Sequence, residues 1–314
     1  MQRILDKIKH YDTIIIHGHQ RPDGDCYGSQ FGLKDIITMS FPRKHVYVVG
    51  QKSDFVDFVG KIDEIGDEVY QGALSIVVDT AVQERISDQR YTLGKEIIKI
   101  DHHIPIDNYG NIRWVDTSFP SCAQMIAYFY TRFQDELKLS KTGAIALYTG
   151  IVTDTGRFRF RGVSKLTHQL AGMLIDKGVE VETIDRYLST ETLDMVKFKG
   201  YVYSNFILDE GIAYIKITRK VIEEYHLTDE QAASMVSLIG GIEGYPIYVL
   251  FMEGKVEIRV RIRSTGPDID QLANMYHGGG HKKAAGAKLK TWDELPQFIL
   301  DAKRVLQGNK EYEL

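Results

Sequence analysis

The sequence predicts an α/β protein with an N-terminal domain built on a parallel sheet flanked by helices, a linking helix, and a smaller C-terminal mixed-sheet α/β domain. Three observations carry that expectation. In the first half, short β-branched runs alternate with helical patterns, and the runs are largely continuous apolar stretches, the mark of parallel strands covered on both faces. Beyond Gly178 the texture changes to alternating strands interleaved with helices. The 314 residues also suit two domains at ~150 residues each.

The run Thr13–Ile16 is the first strand, and helical spacing follows over Ser29–Ile37. His45–Val49, Leu74–Val78 and Glu96–Ile100 are the next three strands. Helices are predicted at Ser121–Phe133, Ser140–Ile151 and Lys165–Lys177, where apolar residues recur at three- and four-residue steps. Ser140 suits an N-cap, and Gly178 suits the position just past a helix C-terminus. Thr190–Tyr203 is helical and mixed in charge without a strong core stripe, as a connecting helix would be. Strands then follow at Phe206–Leu208, Ile212–Thr218, Tyr245–Met252 and Lys255–Arg263, the last two joined as a hairpin through Glu253-Gly254. Helices at Thr228–Leu238, Asp268–Tyr276 and Trp292–Leu306 fill the intervals. The domains are therefore expected at residues 1–188 and 205–314, with residues 189–204 as the linking helix.

Composition removes several classes. Apolar residues make up 43% and charged residues 26%, a soluble globular profile. Lys and Arg number 39 against 43 Asp and Glu, so the net charge of −4 gives no overall bias toward nucleic acid. Residues 255–290, however, hold eight basic and three acidic side chains, a local surplus that suits an anion-handling surface. The longest apolar stretch, Tyr245–Met252, is eight residues, against the ~20 of a membrane span. No apolar segment of signal-peptide length opens the chain. Cys26 and Cys122 make neither a disulfide framework nor a metal-binding spacing. A cytoplasmic protein without membrane contact is expected.

The informative pattern is where carboxylates and histidines fall. The first strand runs into His17-Gly18-His19-Gln20-Arg21-Pro22-Asp23-Gly24-Asp25, the third ends at Asp79, and the fourth ends at Asp101-His102-His103. Asp154 follows the Ser140–Ile151 helix. In an open parallel sheet, the loops at the carboxyl ends of strands converge on one crevice. Taken singly, each residue has a plain structural role: a strand-terminal Asp caps a helix or forms a turn, and His17 closes its strand against the backbone. Together, so many anionic and imidazole groups in one crevice would repel unless a cation neutralised them. Oxygen and imidazole donors without thiolate point to Mn²⁺ or Mg²⁺. The number of donors suits two ions ~3.5–4 Å apart, bridged by one carboxylate.

These residues resemble the DHH phosphoesterase superfamily. The resemblance lies in His19-x-x-x-Asp23-x-Asp25 with Gly28-Ser29 behind it, in Asp79, in Asp101-His102-His103, and in Asp154-Thr155-Gly156. Arg263-Ser264 and the block Gly278-Gly279-Gly280-His281-Lys282-Lys283-Ala284-Ala285-Gly286 are similar to the DHH-associated domain. Carried over by position, the resemblance implies one ion held by His19, Asp23 and Asp79, and another held by Asp25, Asp79, His102 and Asp154. It implies Asp101 as the acceptor that orients a histidine, and His103 facing the substrate phosphate. Mn²⁺ is the expected metal, with Mg²⁺ or Co²⁺ as substitutes. Arg157 could reach a phosphate. Arg263, Ser264, Gly278, Gly279, Gly280 and His281 would bind substrate, since consecutive glycines bring backbone N–H groups close to phosphate oxygens. Arg259, Arg261 and Arg263 alternate and so share one strand face.

Length and the C-terminal block match the two-domain branch that cleaves very short RNA oligonucleotides to 5′-mononucleotides and takes the 3′-phosphate from 3′-phosphoadenosine-5′-phosphate (pAp). Water would attack phosphorus in line with the leaving 3′ oxygen. The alternatives are a cyclic- or linear-dinucleotide phosphodiesterase, a pyrophosphate or polyphosphate hydrolase, and a nucleotide-binding protein without catalysis. The apolar helix Ser121–Phe133 serves a homodimer interface as readily as a core.

Overall fold

The computed structural model describes residues 1–160 and 162–310. It divides into two compact units, Met1–Thr190 and Glu191–Leu314. In the first, α1 (Gln2–His10) leads into β1 (Thr13–His17), α2 (Gly24–Ser40), β2 (His45–Val49), β3 (Leu74–Val78), β4 (Glu96–Asp101) and β5 (Ile112–Val115). Helices α3 (Cys122–Arg132), α4 (Lys141–Asp154), α5 (Lys165–Asp176) and α6 (Val181–Ser189) follow. The strands form one parallel sheet in the order β2-β1-β3-β4-β5. Strand β3 is buried at every position and β1 from Ile14 to His17, in keeping with their mostly apolar runs. The chain leaves β1 toward β2 and returns to β3 on its other side, so the carboxyl ends of β1 and β3 flank a topological switch point, where ligands of open α/β sheets bind. Helix α3 packs into this unit's core, burying Cys122 through Ala127 with Phe129 and Tyr130.

Two helix boundaries differ from the sequence reading, and both move site residues onto regular structure. Helix α2 begins at Gly24 because Asp23 caps it, its Oδ1 accepting from the N–H groups of Asp25 (3.1 Å) and Cys26 (3.0 Å). Helix α4 runs past Ile151 to Asp154, so Asp154 rides the last helical turn and not a loop. At this end Thr153, and Thr155 just past it, satisfy their hydroxyls by donating to the carbonyls of Thr149 (2.9 Å) and Ile151 (2.6 Å). The two helices pack closely through Gly28, where a Cβ would lie 2.5 Å from the Ala146 carbonyl oxygen and 2.9 Å from Gly150 Cα. That approach sets the first turn of α2, carrying Asp25, beside the last turns of α4, carrying Asp154.

The second unit starts with α7 (Leu193–Asn205), then β6 (Ile207–Asp209), β7 (Ile212–Ile217), α8 (Arg219–Glu224), α9 (Asp229–Ser234), β8 (Ile247–Glu253) and β9 (Ile258–Ser264). It ends with α10 (Asp270–Met275), β10 (Gly279–His281), β11 (Ala284–Leu289) and α11 (Leu295–Lys310). The mixed sheet has the order β10-β11-β9-β8-β7-β6, with only β7 and β8 parallel. One face packs Val249, Phe251, Val260 and Ile262 against Leu272 and Phe298 of α10 and α11. The other packs Ile215, Ile217, Leu250 and Met252 against Phe198 and Val202, which are wholly buried. The stretch expected as a connecting helix is therefore part of the second unit's core. The β8–β9 connection is a turn over Gly254–Glu257, closed by Gly254 N–H on the Glu257 carbonyl at 2.9 Å.

The glycine block is not a free loop: it opens the β10–β11 hairpin, which adds to β9. At Gly278 a Cβ would sit 1.9 Å from the Gly286 carbonyl oxygen and 2.6 Å from Ala287 Cα. Backbone packing, before any ligand, demands glycine there. Gly278→Ala should cost the second unit about 1–3 kcal/mol, the usual penalty of overpacking, read as a lower denaturant midpoint at unchanged slope.

Candidate metal centre

The carboxyl ends of β1, β3 and β4 and the facing ends of α2 and α4 deliver the predicted groups to one place. His19 Nε2 lies 3.4 Å from Asp79 Oδ2 and 3.7 Å from Asp23 Oδ1. His102 Nε2 lies 3.4 Å from Asp79 Oδ1, 3.3 Å from Asp154 Oδ2 and 3.7 Å from Asp25 Oδ2. Asp79 thus turns one oxygen to each cluster. In both histidines Nδ1 is engaged by a carbonyl, Gln20 O at 2.9 Å and Phe119 O at 3.2 Å, which leaves Nε2 to face the carboxylates. Asp25 is held from behind by the first N–H groups of α3, from Cys122 (2.6 Å) and Ala123 (2.8 Å). A pocket of about 70 Å³ at this point is lined by His19, Asp23, Asp79, Thr80, Ala81, Arg85, His102, His103 and Asp154.

The electrostatics are those of a site built for positive charge. Burial, then the neighbouring Asp79, Asp154 and Asp23, push the Asp25 carboxyl well above its usual range. Burial and the charges of Asp79 and Asp23 raise Asp154 to about 6, against an opposing pull from His102. Burial works against a charged His102, yet the facing Asp79 carboxylate and the charge of Asp154 raise it to about 9. His19 moves further in the same direction, through Asp23 and Asp79. Asp79 Oδ1 is buried without a hydrogen-bond partner. That orphaned oxygen, among imidazole nitrogens and carboxylates that repel one another, fits divalent cations. Cys26 Sγ, buried beside His19 and Asp79, falls within 4.8 Å of their ligand atoms. The sequence reading assigned it no role.

Behind the cluster, Asp101 Oδ1 accepts from His103 Nδ1 at 2.8 Å, and His103 is half-exposed toward the pocket. Burial would raise Asp101, but the His103 hydrogen bond and the charges of His103 and Lys99 hold it below its ordinary value. Arg157 lines an adjoining pocket of about 360 Å³ that shares Asp23 and Asp154 and is walled by Phe55, Val152, Arg159 and Leu188. Gly156, Arg157 and Phe158 run through the left-handed region with φ of 54°, 58° and 61°. Such backbone costs roughly 1–2 kcal/mol per non-glycine residue. Arg157 is anchored there by Asp185 (3.2 Å) and Ser189 (2.7 Å).

The remaining predicted residues lie in the second unit. Arg263 is half-buried, with Nη1 donating to the Ile262 carbonyl at 2.9 Å. Ser264 is buried and its Oγ accepts from Gly266 N–H at 3.1 Å, so that it holds a turn. His281 is exposed, paired across the hairpin with Ala284. Gly278 also borders a pocket of about 320 Å³ with Arg259, Arg261, His277 and Lys288. Thr80 and Ala81 line the first unit's pocket because they directly follow Asp79, an adjacency the sequence offers. Arg85 is placed there only by the return of its segment to the β1 end, where Gln20 N–H donates to the Arg85 carbonyl at 2.6 Å.

This fold and this cluster define a DHH-type phosphoesterase. The chain belongs to the DHH family: the model for the family's N-terminal domain matches residues 13–151, and that for the DHHA1 domain matches residues 210–308. Among its relatives is the bifunctional oligoribonuclease and PAP phosphatase NrnA of Bacillus subtilis, 41% identical across 95% of this chain and 96% of that one. A probable bifunctional oligoribonuclease and PAP phosphatase NrnA of Streptococcus mutans is 39% identical across 97% and 98%. A crystal structure from Bacteroides fragilis, described as an exopolyphosphatase-related protein, has the same fold. Its TM-score is 0.85 at 23% identity, over 99% of this chain and 96% of that one. Among the described residues, no helix is long and apolar enough to cross a membrane.

Proposed function

We propose that this chain hydrolyses very short RNA oligonucleotides to 5′-mononucleotides and removes the 3′-phosphate of pAp to leave AMP, using two divalent cations, Mn²⁺ first, in the cytoplasm. The observation that carries the reading is the divided Asp79 carboxylate, one oxygen turned to His19 and the other to His102. The names of the relatives supply the substrates. His19, Asp23 and Asp79 would hold one cation, and Asp25, Asp79, His102 and Asp154 the other. Bound there, the pair would acidify water and neutralise charge building on the phosphoryl oxygens. Asp101 keeps the proton of His103 on Nδ1, so Nε2 is the nitrogen offered to the phosphate or the leaving oxygen. Arg157 in the first unit, and Arg263, Ser264, Gly278, Gly279, Gly280 and His281 in the second, would take the remaining phosphate and sugar groups.

One panel tests this. Purified protein with Mn²⁺ is expected to release phosphate from pAp and mononucleotides from a dinucleotide, and to stop when a chelator is added. Turnover of pyrophosphate with no nucleotide hydrolysis would overturn the reading, as would binding of nucleotides without turnover.

A further inference from the structure

Strand β4 reads Glu96-Ile97-Ile98-Lys99-Ile100-Asp101, and its lysine is out of place: the Lys99 side chain is 1% exposed in the middle of the sheet. An apolar residue would fill that space without the cost of burying an ammonium, so a buried lysine calls for a partner that needs its charge. Nζ donates to the Ala81 carbonyl at 2.7 Å and the Asp107 carbonyl at 3.3 Å, and it lies 3.3 Å from Asp101 Oδ2 as an ion pair. The ammonium lies over the Tyr109 ring, 4.4 Å from its centroid. Asp101 is itself fully buried. Its Oδ1 serves His103, through both Nδ1 and the backbone N–H, and its Oδ2 has no hydrogen-bond partner, leaving Lys99 as the countercharge beside it.

We infer that Lys99 is a positioning residue, which acts through Asp101 to hold the His103 imidazole in one orientation and tautomer at the pocket. Two further contacts tie the same point to the flanking segments. The Ala81 carbonyl belongs to the turn that follows Asp79, and Asp107 follows the Asp101-His102-His103 run. Tyr109 reinforces the link, its hydroxyl donating to the Thr80 carbonyl at 2.6 Å. Without the ammonium, Oδ2 faces an apolar strand interior alone, and the carboxylate loses the force that keeps Oδ1 on His103. The inference rests on the phosphoesterase reading only for its kinetic arm.

The test uses Lys99→Met, which keeps the volume, and Lys99→Gln, which keeps a donor for the Ala81 carbonyl but brings no charge. In metal-free protein labelled with ¹⁵N-histidine, the hydrogen-bonded Nδ1–H of His103 should give a downfield proton resonance, assigned by its loss in His103→Gln. Both Lys99 variants should shift or broaden it, whereas Ile98→Val, a core change on the same strand, should not. In the kinetic arm, Lys99→Met should lower kcat roughly 10–100-fold, the usual effect of an outer-shell partner, with KM nearly constant. In a His103→Gln background, the same change should add little further loss. A resonance unmoved in a folded Lys99→Gln variant, or kinetic losses that simply multiply, would overturn the inference. Wild-type protein inactive on every phosphoester would sink the functional reading instead, and the resonance would still decide the role of Lys99.

Discussion

Asp79→Asn should abolish turnover of pAp and of a dinucleotide while the protein stays folded. The substitution isolates the charge. Asp79 has a left-handed backbone, φ 52°, which asparagine adopts readily and alanine does not, so the turn after β3 should survive. What goes is the carboxylate that faces both His19 and His102. Loss on the order of 10³-fold in kcat is expected, about 4 kcal/mol of transition-state stabilisation. Divalent-cation stoichiometry by calorimetry should fall in parallel, and the far-ultraviolet circular dichroism should match wild type. A variant that still turns over normally would remove the shared-carboxylate site and with it the proposed chemistry.

The second large effect is a pH-dependent stabilisation by metal. In metal-free protein the raised pKa values mean that the folded chain keeps protons that the unfolded chain has lost. For Asp154, shifted from 3.8 to about 6, stability is full below 3.8 and declines as pH rises to about 6. For His102, raised from 6.5 to about 9, the contribution is full below 6.5 and is lost as pH climbs through about 9. Both groups must be deprotonated to bind a cation. Mn²⁺ should therefore raise Tm little near pH 5 and progressively more toward pH 8. At a free concentration 100-fold above Kd the gain is about 2.7 kcal/mol, roughly 5–10 °C for a unit of this size. Thermal melts across pH with and without Mn²⁺, with chelator as control, measure it. A metal-induced shift that is the same at pH 5 and pH 8 would contradict the cation placement among these groups.

Much of this protein is readable before any coordinates. Short β-branched, mostly apolar runs at Thr13–Ile16, Leu74–Val78 and Glu96–Ile100 read as strands covered on both sides, and such strands imply a parallel sheet with a crevice at its carboxyl end. The acidic and imidazole residues placed just past those runs name the crevice as a cation site. Their order along the chain is enough to suggest the family. Local chemistry is legible in the same way: Ser140 caps α4 through the N–H groups of Thr142 and Gly143, and Gly178 takes the left-handed position past α5.

Other features belong to the tertiary structure alone, because they depend on partners distant in sequence. Asp25 is held by the N-terminus of a helix 97 residues away, and Arg85 reaches the pocket through the pairing of its segment with the β1 loop. The press of Gly286 against Gly278, which demands glycine there, is likewise visible only in the fold. The role of Lys99 is set only by the fold, where Asp101, Ala81 and Asp107 close around it. Residue types and their spacing along the chain determine which elements form and what chemistry their ends carry. Which oxygen of a carboxylate faces which nitrogen, and which buried charge holds it there, is decided only when packing fixes the distances.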